Sequence, residues 1–472
     1  MNIHVFRVYG HSPLLKSLRQ KSTMVGMNGH LLCTLLLLVQ FVDGKYTILQ
    51  LTDFHMDRDY SRNGDTTKMC HEKQGGQVGL KLGEYGDYNC DSPMILVKNT
   101  IKGAYDTIKD PNLILWTGDS VPHIEGYANQ YVVDAISNAT DFIKQYYPST
   151  LILPTYGNHD HAPENQFAEE DPLFADVFKI WKTWIGDEWK ETFLRGGYYA
   201  KTVKNARFLV LNTNLYYRFD NFTFKDPNDP AGQFDWMKKE LKAAVDSKLP
   251  INIVGHISPG MYERYANFSW FTDEYNRKFL DVILPYASNI RWMIFGHHHT
   301  DTFHVIRDSA AQAIQVSYCA PAVTPWYSSL GKGANNPSFR VYESDEQWNP
   351  LDIVTYYISL SDLNGNPETT WDLEYRFLEA YDLPDLKPQT IDSFINRMKT
   401  NDSLFRKYLN HNTVMHDSSG DITEADRLQQ ICSLQNADYD PYRVCISRGS
   451  AVSQSVILLF FILLFNMFAI IQ

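Results

Sequence analysis

The sequence predicts an α/β domain in which short apolar strands alternate with covering helices. Six apolar runs each end in a turn rich in His, Asp, Asn and Gly: YTILQLTDFH, LILWTGD, LILPTYGNHD, RFLVLNTN, INIVGH and RWMIFGHHH. Continuous apolar strands are typical of sheets that are covered on both faces. Amphipathic segments at 128–146 and 232–247 have the helical period that such covering needs. Because ligands of such sheets lie at the carboxyl ends of the strands, the polar turns mark a functional edge.

The composition is that of an ordinary globular protein. Of the 472 residues, 44% are apolar and 21% are charged, which excludes disorder, collagen and coiled coil for the whole chain. With 43 basic and 55 acidic residues the formal net charge is −12. So acidic a chain lacks the positive charge that dominates phosphate binding, and we therefore expect no nucleic-acid partner.

The first 44 residues are predicted to be a secretory signal peptide. The apolar run 31–42 follows a basic region, and Val42 and Gly44 suit cleavage before Lys45. The alternative is a buried first helix or strand. A run of this length is too short to span a membrane comfortably.

Residues 447–472 are predicted to be a GPI-attachment signal whose hydrophobic tail is removed. Small residues between 447 and 451 precede the apolar run 456–471, which is the order of elements in such signals. A retained single-pass anchor is the alternative. Both place the protein at the extracellular face of the plasma membrane.

Cysteines and sequons agree with a secreted glycoprotein. Two disulfides are predicted between cysteines that are close in sequence: Cys70 with Cys90, and Cys432 with Cys445. Cys319 is then expected to be a buried thiol. Four N-x-[ST] sequons predict glycosylation, at Asn138, Asn221, Asn267 and Asn401.

Five of the six strand ends carry residue types that bind metal ions. In chain order these are Asp53-x-His55, Asp119, Asn158, His256 and His297-x-His299. One such motif means little, but five in order, each at a strand end, form a specific signal. The x-spaced pairs place both side chains on one side of the chain, and a carboxylate such as Asp119 can bridge two ions. Imidazole and carboxylate ligands suit Zn²⁺, so two Zn²⁺ ions per chain are expected.

The ordered motifs TDFHMD, WTGDSVPH, YGNHD, GHISPG and FGHHHTD resemble those of the calcineurin-like metallophosphoesterases, and within them the acid sphingomyelinase family. NTNLYY, VTPWY and GANNPS are similar to the acid sphingomyelinase-like phosphodiesterases, and the apolar tail is similar to their membrane-anchored type. The resemblance runs from about Lys45 to Cys445. It implies a four-layer α/β/β/α sandwich with a small helical C-terminal subdomain.

Domain bounds follow from this resemblance and from the end of the strand pattern. The metallophosphoesterase catalytic domain is expected at 45–360, and the helical subdomain at 361–446, with helices at 390–410 and 423–435. The subdomain is short, so we expect it to pack on the main domain.

Carried over motif by motif, the resemblance implies two ligand sets. One zinc ion would be held by Asp53, His55, Asp119 and His299. The other would be held by Asp119, Asn158, His256 and His297. His123 and His159 are similar to the catalytic histidines of the family, and Asp160 would orient His159. His298, where relatives often carry Thr, is expected to point away from the metals.

The implied reaction is hydrolysis of a phosphodiester by a metal-activated hydroxide, with His123 or His159 protonating the leaving alkoxide. Expected substrates are extracellular nucleotides and related small phosphodiesters; phospholipid head groups such as sphingomyelin are the alternative class. A second hypothesis is a lipid-binding membrane regulator with little turnover, and a third is a phosphomonoesterase or protein phosphatase. We expect a monomer.

Several further residues are candidates for substrate contact. Tyr216, Tyr217 and Trp326 could stack on a base or contact a choline group, with core packing as the alternative. Asn336 and His161 are weaker candidates.

Overall fold

The computed structural model describes residues 45–72, 81–328, 333–416 and 423–448. The predicted signal peptide at 1–44 and the predicted tail beyond residue 448 lie outside those residues. The strands are β1 (Tyr46–Leu51), β2 (Met56–Asp57), β3 (Ser92–Pro93), β4 (Leu113–Trp116), β5 (Ile152–Pro154), β6 (Tyr199–Val203), β7 (Ala206–Val210), β8 (Ile251–Val254), β9 (Ile290–Phe295), β10 (Thr302–Arg307), β11 (Ala313–Cys319), β12 (Ser338–Ser344), β13 (Pro350–Tyr357) and β14 (Asp372–Arg376).

The α-helices lie mainly between and after these strands. They are α1 (Met94–Thr107), α2 (Asn129–Tyr146), α3 (Pro172–Ile185), α4 (Lys190–Gly196), α5 (Gln233–Asp246), α6 (Asp273–Ile283), α7 (Leu360–Gly365), α8 (Phe377–Tyr381), α9 (Pro388–Met398), α10 (Asp402–Asn412) and α11 (Glu424–Gln435). The predicted covering helices at 128–146 and 232–247 are confirmed as α2 and α5.

Two six-stranded sheets contain all six predicted strands. Their strand orders are β14-β13-β12-β1-β4-β5 and β10-β11-β9-β8-β7-β6. Strands β1, β4 and β5 run parallel in the first sheet, and β7, β8 and β9 run parallel in the second. Because parallel strands end at the same edge of a sheet, each sheet delivers three of the polar turns to one edge.

The two sheets face each other across a buried layer that contains polar contacts. The Gln50 side-chain amide donates to the Phe295 carbonyl at 2.9 Å and accepts from the Tyr342 hydroxyl at 2.8 Å. The Trp292 indole donates to the Ser344 hydroxyl at 2.8 Å. Helix α3 contacts β5 of the first sheet, and α5 contacts β7 of the second. This arrangement confirms the four-layer sandwich that the resemblance implies.

The C-terminal region is helical, but not throughout. The predicted helix at 390–410 is two helices, α9 and α10, because the Asn401 side chain accepts from the Leu404 amide at 3.0 Å and starts a new helix. Helix α11 confirms the helix predicted at 423–435. Strand β14, which also follows residue 360, extends the first sheet, so the boundary at 360 stays a prediction.

These helices pack largely into the core of the main domain, although Cys432, Tyr439 and Tyr442 form a second small cluster with Met261. Phe394, Phe405 and Tyr408 belong to the same buried cluster as the sheet residues, and α9 and α11 contact β10. None of the helices among the described residues has the length and apolar character needed to cross a bilayer. Both predicted disulfides are present, Cys70–Cys90 and Cys432–Cys445. Cys319 is buried, and it forms no disulfide with any cysteine of the described residues.

Candidate metal centre and catalytic site

The chain turns sharply at the strand ends, and these turns bring the predicted ligands together. Five of the seven predicted ligands have φ between 38° and 72°: Asp53, His55, Asp119, His297 and His299. This left-handed region is costly for residues with a Cβ and is concentrated at functional sites. The amide of His55 donates to the Asp119 carbonyl at 2.9 Å, so the turns after β1 and β4 support each other.

The first predicted ligand set is a buried cluster of nitrogen and oxygen atoms. The Nε2 atom of His55 lies 3.3 Å from Asp119 Oδ2 and 3.0 Å from His299 Nε2. The Nε2 atom of His299 lies 3.6 Å from Asp53 Oδ1. One atom from each of the four side chains lies within 4.8 Å of the other three. The structure therefore brings together all four residues that the resemblance assigns to one ion.

The second predicted set shares Asp119 with the first. Asp119 Oδ2 lies 3.1 Å from His256 Nε2, which lies 3.1 Å from Asn158 Oδ1. His297 joins Asp119 and His256 within the same 4.8 Å limit. Its Nε2 atom is buried and makes no hydrogen bond within the described chain. An orphaned buried nitrogen at such a place is what a missing ligand partner would leave.

Neighbouring backbone carbonyls set the direction of the ligand atoms. The Nδ1 atom of His55 lies 2.8 Å from the Val121 carbonyl, and that of His256 lies 2.7 Å from the Thr117 carbonyl. Nδ1–H therefore donates outward in both rings, and the Nε2 lone pair faces the cluster. Asn158 donates its amide to Asn165 Oδ1 at 2.8 Å, which turns its own oxygen inward.

The field in the cluster favours a cation. Burial would raise the pKa of Asp119, but the charges of His256, His55 and His159 hold it well below its usual range. Burial would lower the pKa of His55 and His256, yet nearby carboxylates, Asp119 foremost, raise both to about 9. The negative electrostatic potential of these carboxylates, which would hold protons on the two imidazole rings, would equally hold divalent ions. The donor set thus fits a dinuclear metal site of imidazole and carboxylate ligands.

His123 is clamped between the cluster and the cavity wall. Its ring stacks on that of His55 at 4.0 Å between centroids and lies 3.9 Å from that of Trp326. The buried carboxylate of Asp91 accepts from His123 Nδ1 at 3.0 Å and from its backbone amide at 2.6 Å, and Thr324 donates to the same carboxylate at 3.0 Å. This leaves Nε2 as the ring nitrogen of His123 that is free to meet a substrate.

His159 has a different carboxylate partner from the one expected. Its Nδ1 atom lies 2.9 Å from Glu164 Oε2. The expectation that Asp160 orients His159 is wrong, because both oxygens of Asp160 accept backbone amides: Asp119 at 2.9 Å, Ser120 at 2.7 Å and Gly157 at 2.9 Å. Asp160 therefore braces the two loops that carry Asp119 and His159.

Two functional partners, Asp91 and Glu164, were missed by sequence reasoning. Asp91 follows Cys90 directly, so its position beside the predicted disulfide was a signal that could have been used. Glu164 lies in the loop after GNHD, and no feature of the sequence sets it apart from other surface acids.

A cavity of about 230 Å³ opens onto the cluster. Its lining includes both predicted catalytic histidines, four predicted ligands and an aromatic wall: His123, His159, Asp119, Asn158, His297, His299, Tyr217, Tyr262, Trp270 and Trp326. Tyr217 and Trp326 are therefore placed for substrate contact. Tyr216 is not, because it is fully buried and its ring stacks on Phe234 at 4.4 Å.

The weaker candidates have structural partners. His161 contacts the Asp171 carboxylate at 2.9 Å, and Asn336 accepts from the Tyr88 hydroxyl at 2.6 Å. His298 is buried and pairs through Nδ1 with Glu263 at 3.0 Å. Glu263 also accepts from Thr300 at 2.5 Å and Asn412 at 3.1 Å, which ties the His-rich turn to α10.

Comparisons with known proteins agree with this geometry. A family model for calcineurin-like phosphoesterases matches residues 46–301, and one for the C-terminal region of acid sphingomyelin phosphodiesterase matches residues 312–452. Human acid sphingomyelinase-like phosphodiesterase 3b is 35% identical over 407 residues, covering 84% of this chain and 89% of its own length. Human cyclic GMP-AMP phosphodiesterase SMPDL3A is 32% identical over 406 residues, covering 84% and 89%.

Two further matches have lower sequence identity to this chain. Sphingomyelinase phosphodiesterase C of Dictyostelium discoideum is 30% identical over 417 residues, covering 84% of this chain and 91% of its own length. Among solved structures, a purple acid phosphatase from yellow lupin superposes with a TM-score of 0.39 at 14% identity, covering 68% of this chain and 52% of its own.

Proposed function

Because the chain belongs to the acid sphingomyelinase family of calcineurin-like phosphoesterases, and is a hydrolase of phosphodiesters, we propose that it uses two Zn²⁺ ions to cleave small soluble phosphodiesters, nucleotides among them. The observation that carries the proposal is the pair of ligand sets that share Asp119 under one cavity. Its relatives are named as phosphodiesterases for a cyclic dinucleotide and for sphingomyelin.

The size of the cavity favours small substrates. At about 230 Å³ it is smaller than the several hundred Å³ typical of a pocket that encloses a whole ligand. A phosphoryl group and part of one substituent would fill it, and the rest of the substrate would lie outside. The aromatic rings of Tyr217 and Trp326 at the wall suit a flat base more than a branched lipid.

The roles of the side chains follow from their contacts. Asp53, His55, Asp119 and His299 would hold one ion; Asp119, Asn158, His256 and His297 would hold the other. When bound, such ions lower the pKa of water and neutralise charge on the phosphoryl oxygens. His123 Nδ1 donates to the Asp91 carboxylate, and His159 Nδ1 lies 2.9 Å from the Glu164 carboxylate, so each ring is placed to present Nε2 to the cavity. From there they bind the non-bridging oxygens and deliver a proton to the departing alkoxide.

We further propose that the protein acts outside the cell as a GPI-anchored, glycosylated monomer. The two disulfides support an oxidising compartment, because such bonds persist mainly in secreted and surface proteins. Four sequons and the apolar segments at both ends of the chain support the same placement.

The test measures metal content and turnover on the same preparation of the full chain. We expect about two zinc ions per chain and chelator-sensitive hydrolysis of an aryl phosphodiester and of ATP, with sphingomyelin cleaved slowly. Asp119→Ala should lose both ions and nearly all turnover, whereas His159→Ala should keep the metals and lose turnover by roughly 10²–10⁴. Asp57→Asn is the matched control, because this buried carboxylate pairs with His71 outside the cavity.

A folded, zinc-loaded chain that cleaves none of the three substrates would overturn the proposal. That result would favour the second hypothesis, in which the protein is a membrane regulator that binds sphingomyelin vesicles without hydrolysing the lipid.

A further inference from the structure

Two of the four predicted glycosylation sites lie beside the mouth of the cavity. They belong to the segments 217–223 and 262–270, which we call the rim loops. Tyr217 of the first loop and Trp270 of the second both line the cavity. Their ring centroids lie 5.4 and 4.2 Å from that of His297, a predicted metal ligand. A group attached to either rim loop would therefore stand near the mouth of the cavity.

Both rim sequons occur within the same five-residue pattern. The first loop reads Phe-Asp-Asn-Phe-Thr at 219–223, and the second reads Tyr-Ala-Asn-Phe-Ser at 265–269. An aromatic residue stands two positions before each asparagine, and these rings are exposed: Phe219 at 42% and Tyr265 at 44%. Asn221 and Asn267 are exposed as well.

The other two sequons lack this pattern. The residue two positions before Asn138 is Ile136, which is buried inside α2. The one before Asn401 is Lys399. The aromatic pattern thus distinguishes the sequons at the cavity mouth from those elsewhere.

The backbone places each asparagine beside its aromatic partner. The side-chain amide nitrogen of Asn221, the atom to which a glycan is joined, lies 3.3 Å from the Phe219 carbonyl. In the second loop the Phe268 amide donates to the Tyr265 carbonyl at 3.4 Å, which closes a tight turn. Asn267 sits in that turn with φ 56°, a conformation that asparagine tolerates.

The two rim loops form one continuous aromatic surface. The rings of Phe219 and Phe268 lie 5.8 Å apart. The Arg218 guanidinium lies 5.6 Å from the first ring centroid and 5.7 Å from the second, and it donates to the Ser269 hydroxyl at 3.1 Å. Glycans on both asparagines would emerge from this surface together.

We propose that N-glycans on Asn221 and Asn267 pack the apolar faces of their sugars on Phe219 and Tyr265 and form a wall on one side of the cavity mouth. This inference rests on the proposed function and sharpens its substrate class. The wall covers an apolar patch that would otherwise attract a bilayer, because exposed aromatic side chains favour membrane interfaces. It leaves the cavity open to small soluble phosphodiesters and keeps lipid head groups in a bilayer away.

The variants remove the two rim glycans with little change to the fold. Thr223→Ala deletes the first sequon at an exposed side chain and keeps Asn221. Asn267→Asp deletes the second, tolerates the positive φ and spares the Ser269 hydroxyl that Arg218 uses. Ser403→Ala is the matched control, since it deletes the sequon at Asn401 and keeps the asparagine that caps α10.

The full chain, expressed in a glycosylating cell line, is compared with these variants. Glycopeptide mass spectrometry should show both rim asparagines occupied. In the double rim variant, hydrolysis of sphingomyelin in phosphatidylcholine vesicles should rise roughly fivefold or more, the ratio that about 1 kcal/mol of new rim–bilayer contact would give. Binding of a hydrophobic fluorescent dye should rise with it. Hydrolysis of the aryl phosphodiester should stay within about twofold, and the control should match the wild type.

A second measurement isolates the contact between ring and sugar. Phe219→Ala should lower Tm more in the glycosylated chain than in the Thr223→Ala background, by roughly 1–2 °C. Equal Tm losses in the two backgrounds would overturn the packing of sugar on ring.

The outcomes separate this inference from the proposed function. Unoccupied rim sequons, or vesicle hydrolysis that is the same with and without the glycans, would overturn the glycan wall while aryl-diester turnover persists. Loss of turnover on every phosphodiester in the wild type would instead overturn the proposed function.

Discussion

The Asp91–His123 contact leads to a sharp prediction, because no sequence motif assigns Asp91 a role and the structure places it behind a predicted catalytic residue. One Asp91 oxygen accepts from the His123 amide at 2.6 Å, and the other accepts from Thr324 at 3.0 Å. His123 Nδ1 lies 3.1 Å from the first oxygen and 3.0 Å from the second. In Asp91→Asn one of these oxygens becomes an NH₂ donor. Whichever way the amide turns, at least one of the donors loses its acceptor.

The size of the effect follows from the burial of Asp91, which is fully inaccessible. Losing an ionic acceptor there costs roughly 1.5–3 kcal/mol for each charge-assisted hydrogen bond. Stability should therefore fall by about 2–3 kcal/mol. His123 Nδ1 keeps one oxygen within reach but also faces the new NH₂ donor and loses the carboxylate charge that fixes its ring. A loss of about 3 kcal/mol of transition-state stabilisation would then lower turnover roughly 100-fold.

The assay is kcat and KM for an aryl phosphodiester, with urea unfolding measured on the same samples. Asp57→Asn is the matched control, because Asp57 is also buried and accepts from His71 at 2.7 Å and from the Asp59 amide at 2.9 Å, away from the cavity. The control should lose comparable stability and keep turnover within about threefold of wild type. If Asp91→Asn shows the same small change in kcat as the control, the positioning role of Asp91 is refuted.

Three other predictions test the surroundings of the site. Replacing both Cys70 and Cys90 by Ser should lower the free energy of unfolding by about 3 kcal/mol, since the disulfide closes a sequence separation of 20. It should also lower kcat, because Asp91 follows Cys90 directly. Calorimetry and kinetics would check this, and an unchanged kcat would contradict it. Glu263→Gln replaces a fully buried carboxylate that contacts His298, Thr300 and Asn412, and it should cost roughly 3–5 kcal/mol in urea unfolding; a cost below about 1 kcal/mol would contradict this. Burial and two nearby basic side chains lower the pKa of His411 from 6.5 to about 4, so the unfolded chain takes up the proton first as pH falls. Stability is then lost from pH 6.5 down to about 4, and wild type should lose about 2 kcal/mol more than His411→Asn between pH 7 and pH 5; equal losses in denaturant titrations would refute this sign.

Much of the site could be read from the sequence because its ligands come from short motifs fixed to strand ends. A strand followed by a tight turn allows few directions for the next two or three side chains, so D-x-H and H-x-H already fix where Asp53 and His299 point. The structure brings all seven predicted ligands into two sets that share Asp119, as the resemblance implied.

Other features could not be read in this way. Asp160 looked like a partner of the neighbouring His159, but its carboxylate turns toward the backbone amides of another loop, and no local pattern reveals such a choice. Tyr216 and Tyr217 are adjacent, yet one lies in the core and the other on the cavity wall. Adjacent residues in a short turn face opposite ways, and only the packed structure decides which one faces the substrate.

By itself the sequence determined the six strands, the ligand types and their order, both disulfides and the family, because each of these depends on local pattern or on nearby cysteines. Only the tertiary structure decided how the strands divide into two sheets, which carboxylate lies against each predicted catalytic histidine, and which sequons lie in loops that line the cavity. These depend on contacts between residues far apart in the chain. Asp91 and Thr324 are an example: Thr324 donates to Asp91 at 3.0 Å although the two residues are 233 positions apart in the sequence. No local sequence pattern carries information over so large a separation.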